Sequence, residues 1–184
     1  MLNAARVEFG ARGFDAVTLR RIADRAGVDP AMVTHHFGSK SALFRAVLDV
    51  RLDPAAEITE VLRGPAETLG ERLVARLLVV WDSPAGAATI AAVRTALQGD
   101  DSTGLLRELA LSQVLRPLSK ALPGTVAEQL WRANLGASQV VGLLLTRYVL
   151  KLEPLASAHH RDVVAALGPT LQRYLTGPVA AARA

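Results

Sequence analysis

The most constraining feature of this sequence is a short stretch, Pro30–Phe37, between a helix-starting and a helix-ending signal. Asp29 can cap a helix whose first position is the proline, and Gly38 ends that helix after eight residues. At ~1.5 Å per residue the helix is only ~12 Å long, and helices of that length are marginal on their own. We therefore expect Val33 and Phe37 to hold it against neighbouring helices, so that few of its residues face outward.

The composition favours helices throughout the chain. Of 184 residues, 32 are Ala and 29 are Leu, whereas only eight are aromatic, which argues against a β-sandwich. Since there is no cysteine, disulfide scaffolds, Cys-zinc sites, iron–sulfur clusters and Cys nucleophiles are excluded. We expect an all-α protein that, without disulfides or a signal peptide, resides in the cytoplasm.

The aromatic residues divide the chain into two parts. All four Phe lie before residue 45, and both Trp and both Tyr follow residue 80, which suggests two separate cores. The segment 51–54 suits a boundary, because Pro54 disfavours helix at Asp53. We therefore predict two domains, residues 1–50 and residues 51–184.

The first part is predicted to hold three or four short helices. Apolar residues at helical spacing predict a first helix that stops near residues 10–13. Thr18 can cap a second helix, and Gly27 can end it before a three-residue turn that leads to the short helix. This arrangement is typical of a helix-turn-helix, whose second helix enters a DNA major groove ~12 Å wide. The residues left to face that groove are Ala31, Met32, Thr34, His35 and His36.

Two helix N-termini flank the short helix. Thr18 begins the helix before it, and Lys40 lies in the first turn of the helix after it. Free N–H groups and the helix dipole favour a phosphate at each position, so the pair can clamp the DNA backbone on either side of one groove. Arginines add positive charge to the outer face of the preceding helix: Arg20, Arg21 and Arg25. Alone they would indicate a solvated face, but beside a helix-turn-helix they favour DNA contact.

The second part breaks at proline or glycine into longer predicted helices: Ala55–Arg63, Ala66–Trp81, Pro84–Gln98, Ser102–Ala121, Val126–Leu152 and Ser157–Leu175. Pro117 should kink or split the fourth of these. The fifth is apolar on nearly every face from Leu135 to Leu150, so it must be covered on both sides. One face can meet its own domain, and the other requires either the last helix or a second subunit.

Residues 2–48 resemble the DNA-binding domain of the TetR family of transcriptional regulators, and this part of the chain matches the family without a gap. Three pieces carry the resemblance: AARVEFGARGF, then T-LRRIADRAGV, then HHFGSKSALF. The resemblance implies a homodimer that binds a palindromic double-stranded DNA operator, usually as a repressor, with a pocket for an unknown small-molecule effector in the second domain. By position, it places phosphate contacts at Thr18 and Lys40 and groove contacts at the five outward residues of the short helix.

The second domain resembles an actinobacterial-type C-terminal ligand-binding and dimerisation domain of that family, through QVVGLLLTRYVLKLEPLAS and PTLQRYLTG. We therefore expect dimerisation through 126–152 and 157–175 as an isologous four-helix contact. The chain departs from the family in two ways. The family commonly has aromatic residues where Thr34 and His35 stand. Many members also place a basic arm before the first helix, which we expect to be missing or trimmed because Met1 lies almost in that helix.

Candidate pocket residues are polar or aromatic side chains within otherwise aliphatic helices, as ligand pockets tend to have. They are Trp81, Arg94, Trp131, Asn134, Gln139 and Tyr148. Each could instead be a core aromatic residue or an internal hydrogen bond.

Other functions fit the sequence less well. Adjacent residues on a helix point about 100° apart, so His35 and His36 are not expected to bind metal, and His159 and His160 are expected to be solvated caps or dimer-rim residues. The sequence contains no GxSxG, GxGxxG, GxxxxGK or HExxH motif, so neither an enzyme nor a cofactor is expected. The alternative is a helical binding or scaffold protein whose basic face touches membrane or RNA; we do not expect a membrane partner.

Overall fold

The structure, a computed structural model, describes residues 1–50, 52–96 and 100–180, and the side chains of 92–103 lie outside that description. Every regular element in the described part is helical, which confirms the prediction of an all-α protein. Among those residues no single helix is long and apolar enough to cross a membrane. One pair of successive helices, Ala66–Trp81 and Pro84–Ala91, meets that requirement of length and composition only when taken together.

The α-helices follow one another in this order: α1 (Leu2–Ala16), α2 (Leu19–Ala26), α3 (Pro30–Phe37), α4 (Lys40–Val47), α5 (Pro54–Leu62), α6 (Leu69–Trp81), α7 (Pro84–Ala96), α8 (Asp100–Ala110), α9 (Arg116–Ser119), α10 (Val126–Leu143) and α11 (His160–Leu175). A 3₁₀ turn, Ala66–Thr68, precedes α6. Two π-helical turns, Leu111–Leu115 and Leu144–Val149, follow α8 and α10.

The described chain divides into two compact units by its internal packing. The first unit contains Met1–Asp53 and Ala85–Ser112, and the second contains Pro54–Pro84 and Gln113–Ala184. The helices α1 to α4 therefore share their unit with a later segment of the chain. The two domains predicted from sequence, 1–50 and 51–184, remain a prediction.

The core of the first unit is built around phenylalanine rings. The centroids of Phe9 and Phe44 lie 4.6 Å apart, and those of Phe14 and Phe44 lie 5.2 Å apart. Val33 of α3 is fully buried against this core, and Phe37 is half-buried. As the sequence predicts, a short helix is held in place because its apolar side chains pack on its neighbours.

The first helix breaks where its sequence predicts that it stops, near residues 10–13. Gly13, whose φ of 73° and ψ of 170° are not helical, interrupts α1, and a short second helical piece continues to Ala16. Glycine adopts this positive φ without steric cost. The next amide, Phe14 N–H, donates to Glu108 Oε1 of α8 at 3.1 Å. The chain therefore resumes as helix after the kink, and the amide beside the kink keeps a hydrogen-bond partner.

The second unit rests on a close approach of α6 and α11. A Cβ atom on Gly70 would lie 2.3 Å from the carbonyl oxygen of Gly168, so these helices can touch backbone to backbone only because both positions are glycine. The amide of Gly70 donates to Gln172 Oε1 at 2.7 Å. Leu78 of α6 and Leu171 of α11 are almost completely buried.

Several predicted helix ends differ from those observed. The helix predicted to contain Pro117 is divided, because α8 gives way to the π-helical turn before α9 begins at Arg116. The helical stretch from Val126 ends at Val149 rather than Leu152, and the last helix begins at His160 rather than Ser157. The helical stretch ends because Lys151 has a positive φ of 52° and the Leu152 N–H donates to the Thr146 carbonyl at 2.9 Å. Arg147 binds backbone carbonyls of the segment between the two helices.

Candidate functional site

The outward side of α3 is open. All five residues predicted to face DNA are exposed, namely Ala31, Met32, Thr34, His35 and His36. Met32 is 49% exposed, whereas Val33 beside it is 0% exposed. This alternation leaves one side of α3 available to a partner while the other side is fixed in the core.

Both ends of α3 are capped by its own flanking residues. The Asp29 carboxylate accepts from the amide of Ala31 at 2.7 Å. At the other end Gly38, with a φ of 73°, donates its N–H to the carbonyl of Thr34 at 2.8 Å. These caps explain how an eight-residue helix is held at its full length, since side-chain and glycine caps satisfy groups that a helix end leaves unpaired.

Thr18 caps α2 as a hydrogen-bond acceptor, which leaves its hydroxyl able to donate. Its Oγ1 accepts from the amide of Arg21 at 3.2 Å, and the side chain is exposed. A threonine hydroxyl has one donor as well as its acceptor positions, so the O–H remains available to a phosphate oxygen. Gly27 ends α2 with a φ of 66° and leads into the turn before α3.

Three arginines of the first unit converge on one buried carboxylate. Glu8 is only 3% exposed, and its oxygens accept from Arg21 Nε at 2.7 Å and Arg25 Nε at 2.6 Å. Arg12 Nε lies 3.3 Å from the same carboxylate. The hydrogen bonds from Arg25 and Arg21 lower the pKa of Glu8 below its ordinary value, so the carboxylate stays charged.

This arrangement fixes the arginines without neutralising them. Three cations share one anion, so the cluster keeps an excess of positive charge. Arg21 and Arg25 remain 48% and 49% exposed at their side chains, and each guanidinium has donors beyond the Nε that Glu8 uses. Arg20, which is exposed, forms no ion pair within the described residues.

Lys40 has a partner set that sequence reasoning did not predict. Its Nζ donates to the carbonyls of Phe14 at 2.9 Å and Val17 at 3.0 Å, with Asp15 at 3.4 Å, and lies 4.4 Å from the centroid of the Phe14 ring. An ammonium group has three donors, so these carbonyls use its capacity. Lys40 thus joins the start of α4 to the end of α1, and its role as a phosphate contact remains a prediction.

Glu8 is the residue of this cluster that the sequence analysis did not identify. It lies on the same face of α1 as the buried residues Ala5 and Phe9. A carboxylate at a core-facing position requires cationic or hydrogen-bonding partners. The spacing of Arg21 and Arg25, four residues apart on one helix, was the signal that could have identified those partners.

Known protein families match both parts of this chain. A family model described as "Bacterial regulatory proteins, tetR family" matches residues 1–47, which contain α1 to α4. A second, "Tetracyclin repressor-like, C-terminal domain", matches residues 67–175, more than half of the chain. The chain belongs to the TetR family.

Individual relatives agree with this assignment. A crystal structure of a TetR-family regulator from Streptomyces coelicolor A3 is 34% identical, covers 95% of this chain and 91% of its own, and has a TM-score of 0.50. The HTH-type transcriptional regulator BetI from Brucella anthropi is 36% identical over 112 residues, which is 58% of each protein. The HTH-type transcriptional repressor BdcR from Escherichia coli K12 is 36% identical over 74 residues, 40% of this chain and 37% of BdcR.

The chain thus spans about half the length of the curated relatives it matches. The family and these relatives are transcriptional regulators, and residues 1–47 of this TetR-family chain form the family's DNA-binding domain.

The predicted pocket residues of this TetR-family chain do not converge on one cavity. Trp81 is buried and meets Tyr148 edge-on, with ring centroids 5.6 Å apart. Trp131 is 38% exposed, and its Nε1 donates to the carbonyl of Ala180 at 3.1 Å. The side chain of Arg94 lies outside the described residues.

Trp131 and Tyr148 line two different cavities of the second unit. One, of about 260 Å³, is lined by Trp131 and by residues of α11 and the segment after it. The other, of about 390 Å³, is lined by Asp82, Arg147, Tyr148, Lys151, Glu153 and Ala156. Asn134 and Gln139 line neither of them; their amides donate to Leu130 O at 2.8 Å and Ser138 Oγ at 3.3 Å.

The histidine pairs have different surroundings. His35 and His36 both lie on the exposed side of α3. His159 precedes α11 with extended backbone, and His160 Nε2 lies 2.5 Å from Asp82 Oδ2. His160 is therefore not merely a solvated cap, because it links the end of α6 to the start of α11. In the described part of the chain, no three His, Asp or Glu side chains are grouped as a metal site.

Proposed function

We propose that this chain is a ligand-responsive repressor that binds a palindromic operator as a homodimer in the cytoplasm. The observation that carries the proposal is the two-sided character of α3. Its inner side chain Val33 is fully buried, and its five outward residues are all exposed. A short helix fixed on one side and open on the other fits a major groove.

DNA contacts divide into two groups under this proposal. Backbone contacts come from the Thr18 hydroxyl, from Arg20 and Arg21, and from the N–H groups in the first turn of α4, where Lys40 begins the helix. Sequence is read by the outward residues of α3: Ala31, Met32, Thr34, His35 and His36. Phosphate contacts position the protein, and base-edge contacts select the operator.

Dimerisation is proposed through 126–152 and 157–175. The support is an apolar face on α10 that this chain leaves exposed: Val126 at 82%, Leu130 at 42% and Val141 at 54%. Large apolar side chains at helical spacing on one exposed face favour burial against a partner. An isologous contact would place two copies of α3 ~34–36 Å apart, one DNA turn.

Repression and ligand response are proposed by similarity. BdcR is described as a repressor, and the matched C-terminal family model is described as tetracyclin repressor-like. A ligand that prefers the conformation unable to span both half-sites would release DNA, and ~1–3 kcal/mol of coupling would suffice for a modest switch.

The DNA contacts can be tested after selecting bound sequences from a random duplex pool. With the selected duplex, His35→Ala and Thr34→Ala should relax preference at individual base pairs by ~1–3 kcal/mol. Arg20→Ala should instead weaken binding to all duplexes and reduce the salt slope by about one. Arg63→Ala, at a side chain 71% exposed in the second unit and outside the proposed dimer contact, serves as a charge-matched control. Equal salt slopes for Arg20→Ala and Arg63→Ala would contradict the proposed interface.

The dimer can be tested separately by sedimentation. Val141→Glu places a charge on the exposed face of α10 and should shift the protein towards monomer while circular dichroism still shows a folded chain. Loss of the dimer should weaken operator binding and leave single half-site binding unchanged. A folded Val141→Glu variant that remains dimeric would refute the proposed interface.

A further inference from the structure

The larger cavity of the second unit has a chemistry that the DNA-binding role does not use. Its volume of about 390 Å³ falls in the ~300–1,000 Å³ range typical of small-molecule sites. Asp82 lines it from the end of α6, Arg147 and Tyr148 line it from the π-helical turn, and Lys151 and Glu153 line it from the segment that follows.

Arg147 is a buried cation that has no counter-ion within the described residues. It is only 9% exposed, and its Nη1 donates to the carbonyls of Leu155 at 2.5 Å and Ala158 at 3.0 Å. Its Nε is buried without any hydrogen-bond partner in the same part of the chain. Carbonyl groups solvate a guanidinium but do not neutralise it, and a buried unpaired charge is costly.

The acidic groups of the cavity are already engaged. The Asp82 carboxylate is bound by His160 Nε2 at 2.5 Å. Glu153 Oε2 accepts from the Ser157 hydroxyl at 2.6 Å and from the Ser157 amide at 3.3 Å. Lys151, in contrast, is exposed and has no described ion-pair partner. The cavity lining holds two carboxylates and two cations, but the groups left without an acceptor among the described residues are the cationic donors, Arg147 Nε and the Lys151 ammonium.

The hydroxyl of Tyr148 is buried next to the Asp82 carboxylate, without a close hydrogen bond among the described residues. Burial raises the pKa of Tyr148 to about 12, and the interaction of the hydroxyl with Asp82 adds to the effect, so the phenol stays protonated. The Tyr148 ring, which packs edge-on against Trp81, gives the cavity lining an aromatic side chain.

We propose that this cavity binds a small aromatic carboxylate, with Arg147 and Lys151 as its counter-charges and Tyr148 against its ring. The regulatory part of this inference rests on the proposed function, in which such a carboxylate is the effector that releases DNA. Charge-assisted hydrogen bonds to a carboxylate would supply the missing partners, and arginine suits a planar carboxylate because of its fork of donors.

Benzoate, benzamide and benzylamine form a matched set of probes, because they share a ring and differ in charge. Binding is measured by NMR titration of the full chain. Benzoate should bind, and the neutral and cationic probes should bind at least tenfold more weakly. Comparable binding of benzamide or benzylamine would overturn the assignment of an anion site.

Lys151→Asn is the decisive variant. It removes the charge at an exposed position whose φ of 52° asparagine tolerates, so the fold is preserved. It should weaken benzoate binding about three- to tenfold, whereas Lys120→Ala, at an exposed lysine that lines neither cavity, should leave it unchanged. Unchanged benzoate affinity in Lys151→Asn would overturn the inference.

A third measurement separates the two proposals. Operator binding is measured by fluorescence anisotropy without benzoate and then with it. Operator binding by a chain that does not bind benzoate would overturn only the anion site, and benzoate binding by a chain that binds no DNA would overturn only the proposed function. Release of operator by benzoate, lost in Lys151→Asn, would support both.

Discussion

Replacing Val33 with alanine tests whether the position of α3 depends on this buried side chain, separately from the contacts that α3 makes with DNA. Val33 is the side chain of α3 that is 0% exposed, and it packs in the core that Phe9 and Phe44 form. Val33→Ala removes two methylene equivalents, worth ~1.6 kcal/mol of transfer free energy at ~0.8 kcal/mol each. The cavity left behind adds to this, so the free energy of unfolding should fall by ~2–3 kcal/mol.

Met32→Ala is the matched control, since Met32 lies next to Val33 on α3 but is 49% exposed. Its effect on stability should stay within ~0.5 kcal/mol, because surface substitutions seldom do more. Urea unfolding at one fixed protein concentration measures both variants, and anisotropy with the selected duplex measures binding. Val33→Ala should lose stability and binding together, whereas Met32→Ala should change binding alone.

Two outcomes would refute this reasoning. If Val33→Ala cost less than ~1 kcal/mol, α3 would not depend on that side chain for its position. If Met32→Ala destabilised the protein as much as Val33→Ala, the inner and outer sides of α3 would be assigned incorrectly.

Other predictions follow from the same geometry. Because the pKa of Glu8 is lowered in the folded protein, its stabilising contribution is present above its ordinary pKa and is lost as pH falls through the folded value. Acid unfolding should therefore show the gap between wild type and Glu8→Gln closing below about pH 4, and a constant gap would contradict it. Gly70→Ala should cost at least ~3 kcal/mol in urea unfolding, since its Cβ would meet backbone atoms of α11 at 2.3 and 2.4 Å. Gly104→Ala, with open space around it among the described residues, should instead stabilise by ~0.5–1 kcal/mol, and similar losses in both would count against the close contact. The raised pKa of Tyr148 means that stability should fall as pH rises from about 10 towards 12, and this fall should be absent in Tyr148→Phe.

The local features of the DNA-binding helices could be predicted from sequence because their causes are local. Asp29 and Gly38 lie next to α3 in the chain, so the capping of both its ends is visible in the order of residues. The alternation of Val33 with outward polar residues likewise follows from helical periodicity. The resemblance to the TetR family rests on the same contiguous segment, so the order of residues is enough to reveal it.

The helix ends in the second unit could not be predicted in the same way. No proline or glycine separates Val149 from Leu152, yet helical structure stops there, because Lys151 adopts a positive φ of 52° and the Leu152 N–H donates to the Thr146 carbonyl. Arg147 then holds the segment that follows through the carbonyls of Leu155 and Ala158, eight and eleven residues away. Propensity describes neighbours along a helix, and a side chain that binds backbone beyond the helix end falls outside it.

By itself, the sequence determined that this chain is helical, that α3 is short and capped, and that its outward face is small and polar. The tertiary structure alone decided how the charges are paired. Glu8 pairs with Arg12, Arg21 and Arg25, and Lys40 donates to carbonyls at the end of α1. Arg147, in contrast, is buried without an anion among the described residues. The reason is physical: caps and periodicity act within one turn of helix, but a charge takes its partner from whichever helix packing brings near.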